Sequence, residues 1–104
     1  MKTLQELFSD PKRWTQGRLA QDSSGEKVTT CDNKAVCFCL VGGAKRVYKH
    51  EAPSVCQKLA VAIVGFPFEN SRYESVCLDK ITQWNDDPAR TIADIQRLVK
   101  EANV

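Results

Sequence analysis

One stretch constrains this chain more than any other: "AVCFCLV", Ala35 to Val41, is apolar on every side and runs directly into Gly42-Gly43. A helix without a polar face must be enclosed by protein. The stretch therefore predicts a central helix over about 33–48, capped by Asp32 and surrounded by the other elements. Inside that helix each glycine would cost roughly 1 kcal/mol relative to alanine. Close approach of another backbone would compensate for them; the alternative is a helix that ends there.

The remaining segments supply what surrounds it. Thr3 and Glu6 have capping-box spacing, with Leu4, Leu7 and Phe8 as the apolar side of a short first helix. Asp10-Pro11 reads as a cap followed by proline at the first helical position, and Gly17 closes that turn. In "RLAQDSSGEKVTT" (18–30), Ser24-Gly25 lies between Leu19 and Val28, Thr29 and Thr30, which predicts a short β-hairpin. Two strands alone are marginal, so the hairpin must lean on helices. Pro53 opens a third helix, about 54–64, with Val55, Leu59, Ala62 and Ile63 on one face. "GFPFEN" is a loop or hinge. Ser71 and Glu74 form another capping box, after which Tyr73, Cys77, Ile81 and Trp84 share a helical face. Thr91 and Asp94 start the last helix, whose stripe is Ile92, Ile95, Leu98, Val99 and Ala102. The expected fold is mainly α with α+β character. It is a compact bundle of about five short helices around a central buried helix, with one β-hairpin, in a single globular domain over 1–104.

A chain of 104 residues buries roughly two-thirds of its unfolded surface, enough for one core. With 42% hydrophobic and 27% charged residues, it has the composition of a globular protein rather than a disordered one. A net charge of +2 is small for a nucleic-acid binder, which needs a stripe of Lys and Arg to neutralise many phosphates. Lys45, Arg46, Lys49 and His50 do gather, in a pattern that suits a solvated helix end. No apolar run reaches the roughly 18 residues that a membrane span requires. "MKTLQELFSD" lacks the apolar run and cleavage site of a signal peptide. Five cysteines, an odd number without an export signal, predict free thiols in a reducing, cytoplasmic setting.

Three segments, "RWTQGRLAQDSSG" at 13–25, "DNKAVCFCLVGGA" at 32–44 and "WNDDPART" at 84–91, resemble in order and spacing a bacterial and phage family catalogued as domain of unknown function 6197. Its members characteristically carry a Trp-Thr-Gln-Gly-like turn, a Cys-x-x-Gly-Ala-like central helix and a Trp-Asn-Asp-x-Pro-Gly-Arg-Thr-like stretch. On this chain these features fall on Trp14 to Gly17, on Cys39 with Gly42 to Ala44, and on Trp84 to Thr91. The resemblance spans nearly the whole chain, and its third segment is the most specific. Ala89 stands where a glycine is common, so that position does not demand a positive φ. Gly43 stands where alanine is usual, and both are small. The resemblance supports the fold and implies no activity.

Few side chains here suit catalysis or metal binding. Cys37 and Cys39, two apart on a helix, would point about 200° apart, and the chain has a single histidine. No metal or cofactor is therefore expected. Cys37, Cys39, Cys56 and Cys77 read as buried structural thiols. Cys31 lies at the expected helix entry, where a helix N-terminus can lower a thiol pKa, and is the one candidate for a reactive thiol, although a structural role is the expectation for it too. His50, between Lys49 and Glu51, suits a helix end, and there is no nucleophile elbow or phosphate-cradling glycine loop.

"WNDDPAR" packs an indole, an amide, two carboxylates and a guanidinium into one turn. Asp86 and Asp87 are adjacent, so their side chains diverge, unlike an acid/base pair converging on one bond. Asn85 and Asp86 suit a turn, Pro88 fixes φ and Thr91 caps the next helix. Arg90 can pair with Asp86 or Asp87 for about 0–1 kcal/mol. Capping leaves Trp14 and Trp84 unaccounted for, since each indole N–H wants a partner. If the two turns meet, Trp14, Gln16, Trp84, Asn85 and Asp86 would line one shallow amphipathic surface suited to a ligand or peptide. Otherwise both indoles are core.

The sequence thus leads to a small cytoplasmic binding or regulatory module, non-catalytic, acting through a protein partner or small ligand at that surface. One alternative is a small hydrolase or transferase built on Asn85, Asp86 and Cys31. Another is a nucleic-acid accessory protein using Lys45, Arg46 and Lys49. The identity of the partner and the oligomeric state are not legible.

Overall fold

A computed structural model describes residues 3–65 and 74–104. Five helices carry the fold: α1 (Leu4–Leu7), α2 (Leu40–Tyr48), α3 (Ala52–Val64), α4 (Glu74–Asn85) and α5 (Ile92–Glu101). Two short strands, β1 (Ala20–Gln21) and β2 (Cys37–Phe38), and one-turn 3₁₀ segments at Pro11–Arg13 and Lys49–Glu51 complete it. The class is the expected one, helices with a small antiparallel sheet. The Ser71–Glu74 capping box, Tyr73 and "GFPFEN" beyond Gly65 lie outside the described residues. No helix among those described is long and apolar enough to cross a membrane.

Local chemistry sets most helix ends where the sequence places them. Thr3 Oγ1 accepts from Glu6 N at 3.1 Å. Asp10 Oδ1 accepts from Lys12 N at 3.0 Å, ahead of Pro11. Thr91 and Asp94 form a full capping box, each side chain accepting from the other's backbone N–H. Pro53 sits in the first turn of α3, whose buried residues Ala52, Val55, Cys56, Leu59 and Ala60 keep helical spacing. Gly65, at φ 88°, closes α3 in the left-handed conformation. The Val104 carbonyl accepts from Leu4 N (2.9 Å), Gln5 N (3.3 Å) and the Tyr48 hydroxyl (3.1 Å), tying α5 to α1 and α2.

The central helix departs from expectation. α2 does contact α1, α3, α4 and β2 and is the enclosed element, but it begins at Leu40 rather than near residue 33. Its N-cap is Cys39, whose Sγ accepts from Gly42 N at 3.3 Å. Asp32 instead closes a local turn, with Oδ1 accepting from Lys34 N at 2.8 Å. The first half of the apolar run is strand β2. A short run buried on all sides satisfies a strand as well as a helix. Here the ladder decides, with Val36 N donating to Gln21 O (2.9 Å) and Cys39 N to Leu19 O (3.3 Å).

The predicted hairpin is present as a reversal but pairs elsewhere. Asp22 Oδ1 holds the turn by accepting from Ser24 N and Glu26 N, both at 2.9 Å. Beyond it, Gln21 bridges Lys27, and Val28 N donates to Ala20 O at 3.2 Å. The antiparallel ladder of β1, however, is with β2: Ala20 opposite Phe38 and Gln21 opposite Cys37. On its far side β2 takes Trp14 as a parallel bridge, and Thr15 N donates to Phe38 O at 3.0 Å. The small sheet thus lays the Trp14 turn beside the start of α2.

Of the glycine pair, Gly42 has the predicted use, close approach of another backbone, while Gly43 makes room for side chains. A Cβ at Gly42 would overlap the backbone carbonyl of Leu19, and one at Gly43 would press on the side chains of Phe8, Leu7 and Leu4. The β1 approach packs directly on α2 because position 42 has no side chain.

Candidate functional site

α4 buries Cys77, Ile81 and Asn85 at successive four-residue spacings, so the helix carries an amide into the core along its apolar stripe. Asn85 is 1% exposed, the buried polar side chain among the described residues. Its Oδ1 accepts from Trp14 Nε1 (2.9 Å) and Leu40 N (3.1 Å), and its Nδ2 donates to Thr15 O (3.2 Å) and Asp86 Oδ1 (2.9 Å). Two donors meet the oxygen and two acceptors meet the nitrogen, so only one orientation of the amide fits. All four of its hydrogen-bonding positions are filled. Leu40 is the first residue of α2, and Asn85 satisfies one of the backbone N–H groups a helix start leaves open.

The two turns therefore meet. Gln16 Nε2 donates to the carbonyls of Asn85 (2.8 Å) and Asp87 (2.9 Å), and Gly17 N donates to Asp86 Oδ1 at 3.0 Å. Trp14, Gln16, Asn85 and Asp86 form one hydrogen-bonded knot joining the 14–17 turn, α2 and α4. Trp84, the fifth residue of the expected surface, engages Arg90 instead. The Arg90 guanidinium lies 3.7 Å from the indole ring centroid, and its Nε donates to Trp84 O at 2.7 Å. Arg90 also pairs with Asp87 at 3.8 Å, while Asp87 Oδ1 accepts from Ala89 N at 2.9 Å. Ala89 needs no positive φ, since the non-glycine residues that adopt one are Lys49 and Asn103. The Asn85 amide, one Asp86 oxygen, the Asp87 carboxylate and the Arg90 guanidinium of "WNDDPAR" are thus engaged within the chain.

The cysteines divide as expected in burial: Cys37, Cys39, Cys56 and Cys77 are buried and Cys31 is exposed. Burial pushes the thiols of Cys37 and Cys39 up from their ordinary pKa, which keeps them protonated and unreactive. Cys31 stands in a turn beside Thr30. The helix whose N-terminus was expected next to it begins at Leu40. Among the described residues no three His, Cys, Asp or Glu side chains gather as a metal site.

A different place concentrates unanswered charge. Arg13, at the end of the first 3₁₀ turn, comes beside Arg46 and Lys49 of α2 and its C-cap, around a cleft of about 390 Å³ floored by Leu7, Ala35, Phe38 and Val47. Among the described residues no carboxylate lines it. Asp10, three residues before Arg13, and Asp32 accept from backbone N–H groups instead, and Glu51, two residues beyond Lys49, is exposed and does not line the cleft. Arg13 and Arg46 are half-buried, yet the arginines that pair with a carboxylate among the described residues are Arg90 and Arg97. A partly desolvated cation without a counter-charge is costly. Arg46 and Lys49 also offset the negative end of α2. Arg13 ends a single turn with no appreciable dipole and has no such duty. Lys49 adds backbone strain: it adopts φ 54°, ψ −117° at the end of α2, a conformation costing a non-glycine residue about 1–3 kcal/mol.

The sequence pointed to Lys45, Arg46 and Lys49 by their adjacency and missed Arg13. No sequence signal marks it: the 14–15 segment pairs with Phe38, and Arg13 joins Arg46 and Lys49 only through the folded chain. Lys45 and His50 are exposed and do not line this cleft.

A comparison with curated proteins and with solved structures finds no match. A family model described as "Family of unknown function (DUF6197)" matches residues 3–103. The chain therefore belongs to that family.

Proposed function

We propose that the protein is a small non-catalytic binding module that holds an anionic group, of a small ligand or of a partner protein, in the cleft between Arg13, Arg46 and Lys49. The observation that carries this reading is the pair of half-buried guanidiniums, Arg13 and Arg46, that line a cleft and have no carboxylate partner among the described residues. In this reading the Trp14–Gln16–Asn85–Asp86 knot is the scaffold, not the contact surface, and Trp84 with Arg90 buttresses the turn. A hydrolase or transferase reading would need Asn85 or Asp86 to reach a substrate. The Asn85 amide has no hydrogen-bonding position left, and one Asp86 oxygen already takes two donors. Five free thiols, four of them buried, suit a reducing, cytoplasmic compartment.

The test is a ¹⁵N-NMR titration with sodium pyrophosphate at constant ionic strength. Saturable shifts at Arg13, Phe38 and Arg46 to Lys49 are expected, and Arg13→Ala should weaken them. Shifts confined to Gln16 and to Asn85–Asp87, or none that saturate, would overturn the reading.

A further inference from the structure

We infer that the ligand of this cleft is a compact small molecule bearing two or three negative charges close together, a phosphate ester, diphosphate or polycarboxylate, gripped by the free edge of Arg46. The inference rests on the anion-binding reading above and narrows it to a ligand class. Both hydrogens of Arg46 Nη1 are committed, to Thr30 O at 3.0 Å and Asp32 O at 2.9 Å, and the guanidinium lies 5.7 Å from the Phe38 ring centroid. These contacts fix its plane. The Nε and Nη2 edge takes no partner among the described residues. That edge is a planar two-donor fork of the kind that matches two oxygens of one phosphate or carboxylate.

Charge and size narrow the class further. Among the described residues three cations and no acid line the space, so a single negative charge would leave repulsion among the remaining cations. The cleft, about 390 Å³, falls at the small end of the range for ligand sites. Leu7 and Phe38 on its floor are each only 2% exposed, so they offer little area to an apolar body, and recognition must come from the charged walls. A nucleic-acid strand would instead need a basic track many phosphates long. The strain at Lys49 fits the same picture: glycine would adopt that conformation freely, but only lysine puts a third cation at the cleft.

The experiment titrates pyrophosphate, citrate, acetate and a single-stranded thymidylate oligonucleotide into the protein at fixed ionic strength, followed by ¹⁵N-NMR. Pyrophosphate or citrate should bind at least about tenfold more tightly than acetate. Arg13→Ala and Arg46→Lys should each weaken that binding by roughly tenfold. Lys49→Gly should weaken it several-fold while raising the thermal midpoint, a combination that a purely structural lysine would not give. If Arg46→Lys does not fold, Arg13→Ala and Lys49→Gly decide alone. If acetate binds in the cleft as well as the polyanions, the ligand class is wrong and the anion-binding reading survives. If no anion shifts the cleft, both fall. If the oligonucleotide binds most tightly, with steep salt dependence and shifts extending to Lys27 and Lys45, the small-ligand inference is overturned.

Discussion

The Asn85 knot and the Arg13 cleft are both polar clusters assembled by the same small sheet, and they use their polar groups in opposite ways. In the knot every donor of the buried amide has an acceptor and every acceptor a donor, all from this chain. In the cleft, three cations line a space with no acid among the described residues. Density of polar residues therefore does not measure how much hydrogen-bonding and charge capacity a region leaves open. The "WNDDPAR" turn is the richest polar segment in the sequence, and its chemistry is consumed in holding α4, α2 and the 14–17 turn together. The sparser cluster is the one with valences left for something else.

Substitutions should separate the two regions by their effect on folding. The largest effect is expected at the knot's centre. Asn85→Ala strands the Trp14 and Leu40 N–H groups and the Thr15 carbonyl, and should cost roughly 3–5 kcal/mol, measured by urea unfolding. At its edge, Gln16→Ala removes two bonds from a more exposed side chain and should cost about 1 kcal/mol. Thr91→Ala, which opens the capping box of α5, belongs at about the same size. The Asp94 carboxyl in that box is held below its ordinary pKa by the Thr91 backbone N–H. The stability it lends is thus present above its unfolded value of 3.8 and lost as the pH falls through its lowered folded value. A pH series on wild type and Thr91→Ala checks this, since the variant should lose part of that acid dependence. Smallest of all, Arg13→Ala in the cleft should change stability by no more than about 0.5 kcal/mol while reducing anion binding. A costly Arg13→Ala would erase the contrast between the two regions.

What was legible in the sequence follows the range of the interaction. The caps at Thr3, Asp10 and Thr91 and the proline start of α3 depend on residues a turn apart, and they fall as read. Gly42 was also legible as a close backbone approach, although not that Leu19 makes it, whereas Gly43 proved to accommodate the side chains of Phe8, Leu7 and Leu4. The helix-or-strand choice over Ala35–Cys39 was not, because the run is apolar throughout, exposed Val36 included, and so has no period to read. It is settled by Ala20 and Gln21, residues far away in the chain. Asp32 was a plausible cap only while the helix was taken to start beside it. Asn85 was singled out, but as a turn residue. The spacing of Cys77, Ile81 and Asn85 places it on the buried stripe of α4 and would have revealed its depth. Arg13 had no local signal, since its neighbours in the cleft come from α2 and its C-cap.

The most direct test of the account is the thermal unfolding of Asn85→Asp at pH 7 beside the wild type. The change keeps the shape of the side chain and replaces only the donating nitrogen. It sets a buried carboxylate oxygen against the Thr15 carbonyl and the Asp86 carboxylate, which now accept from Nδ2. If the knot is what joins the elements, the midpoint should fall by roughly 10 °C or more. A midpoint within a degree or two of the wild type would contradict the account, because the donor that fastens the two turns would then be dispensable.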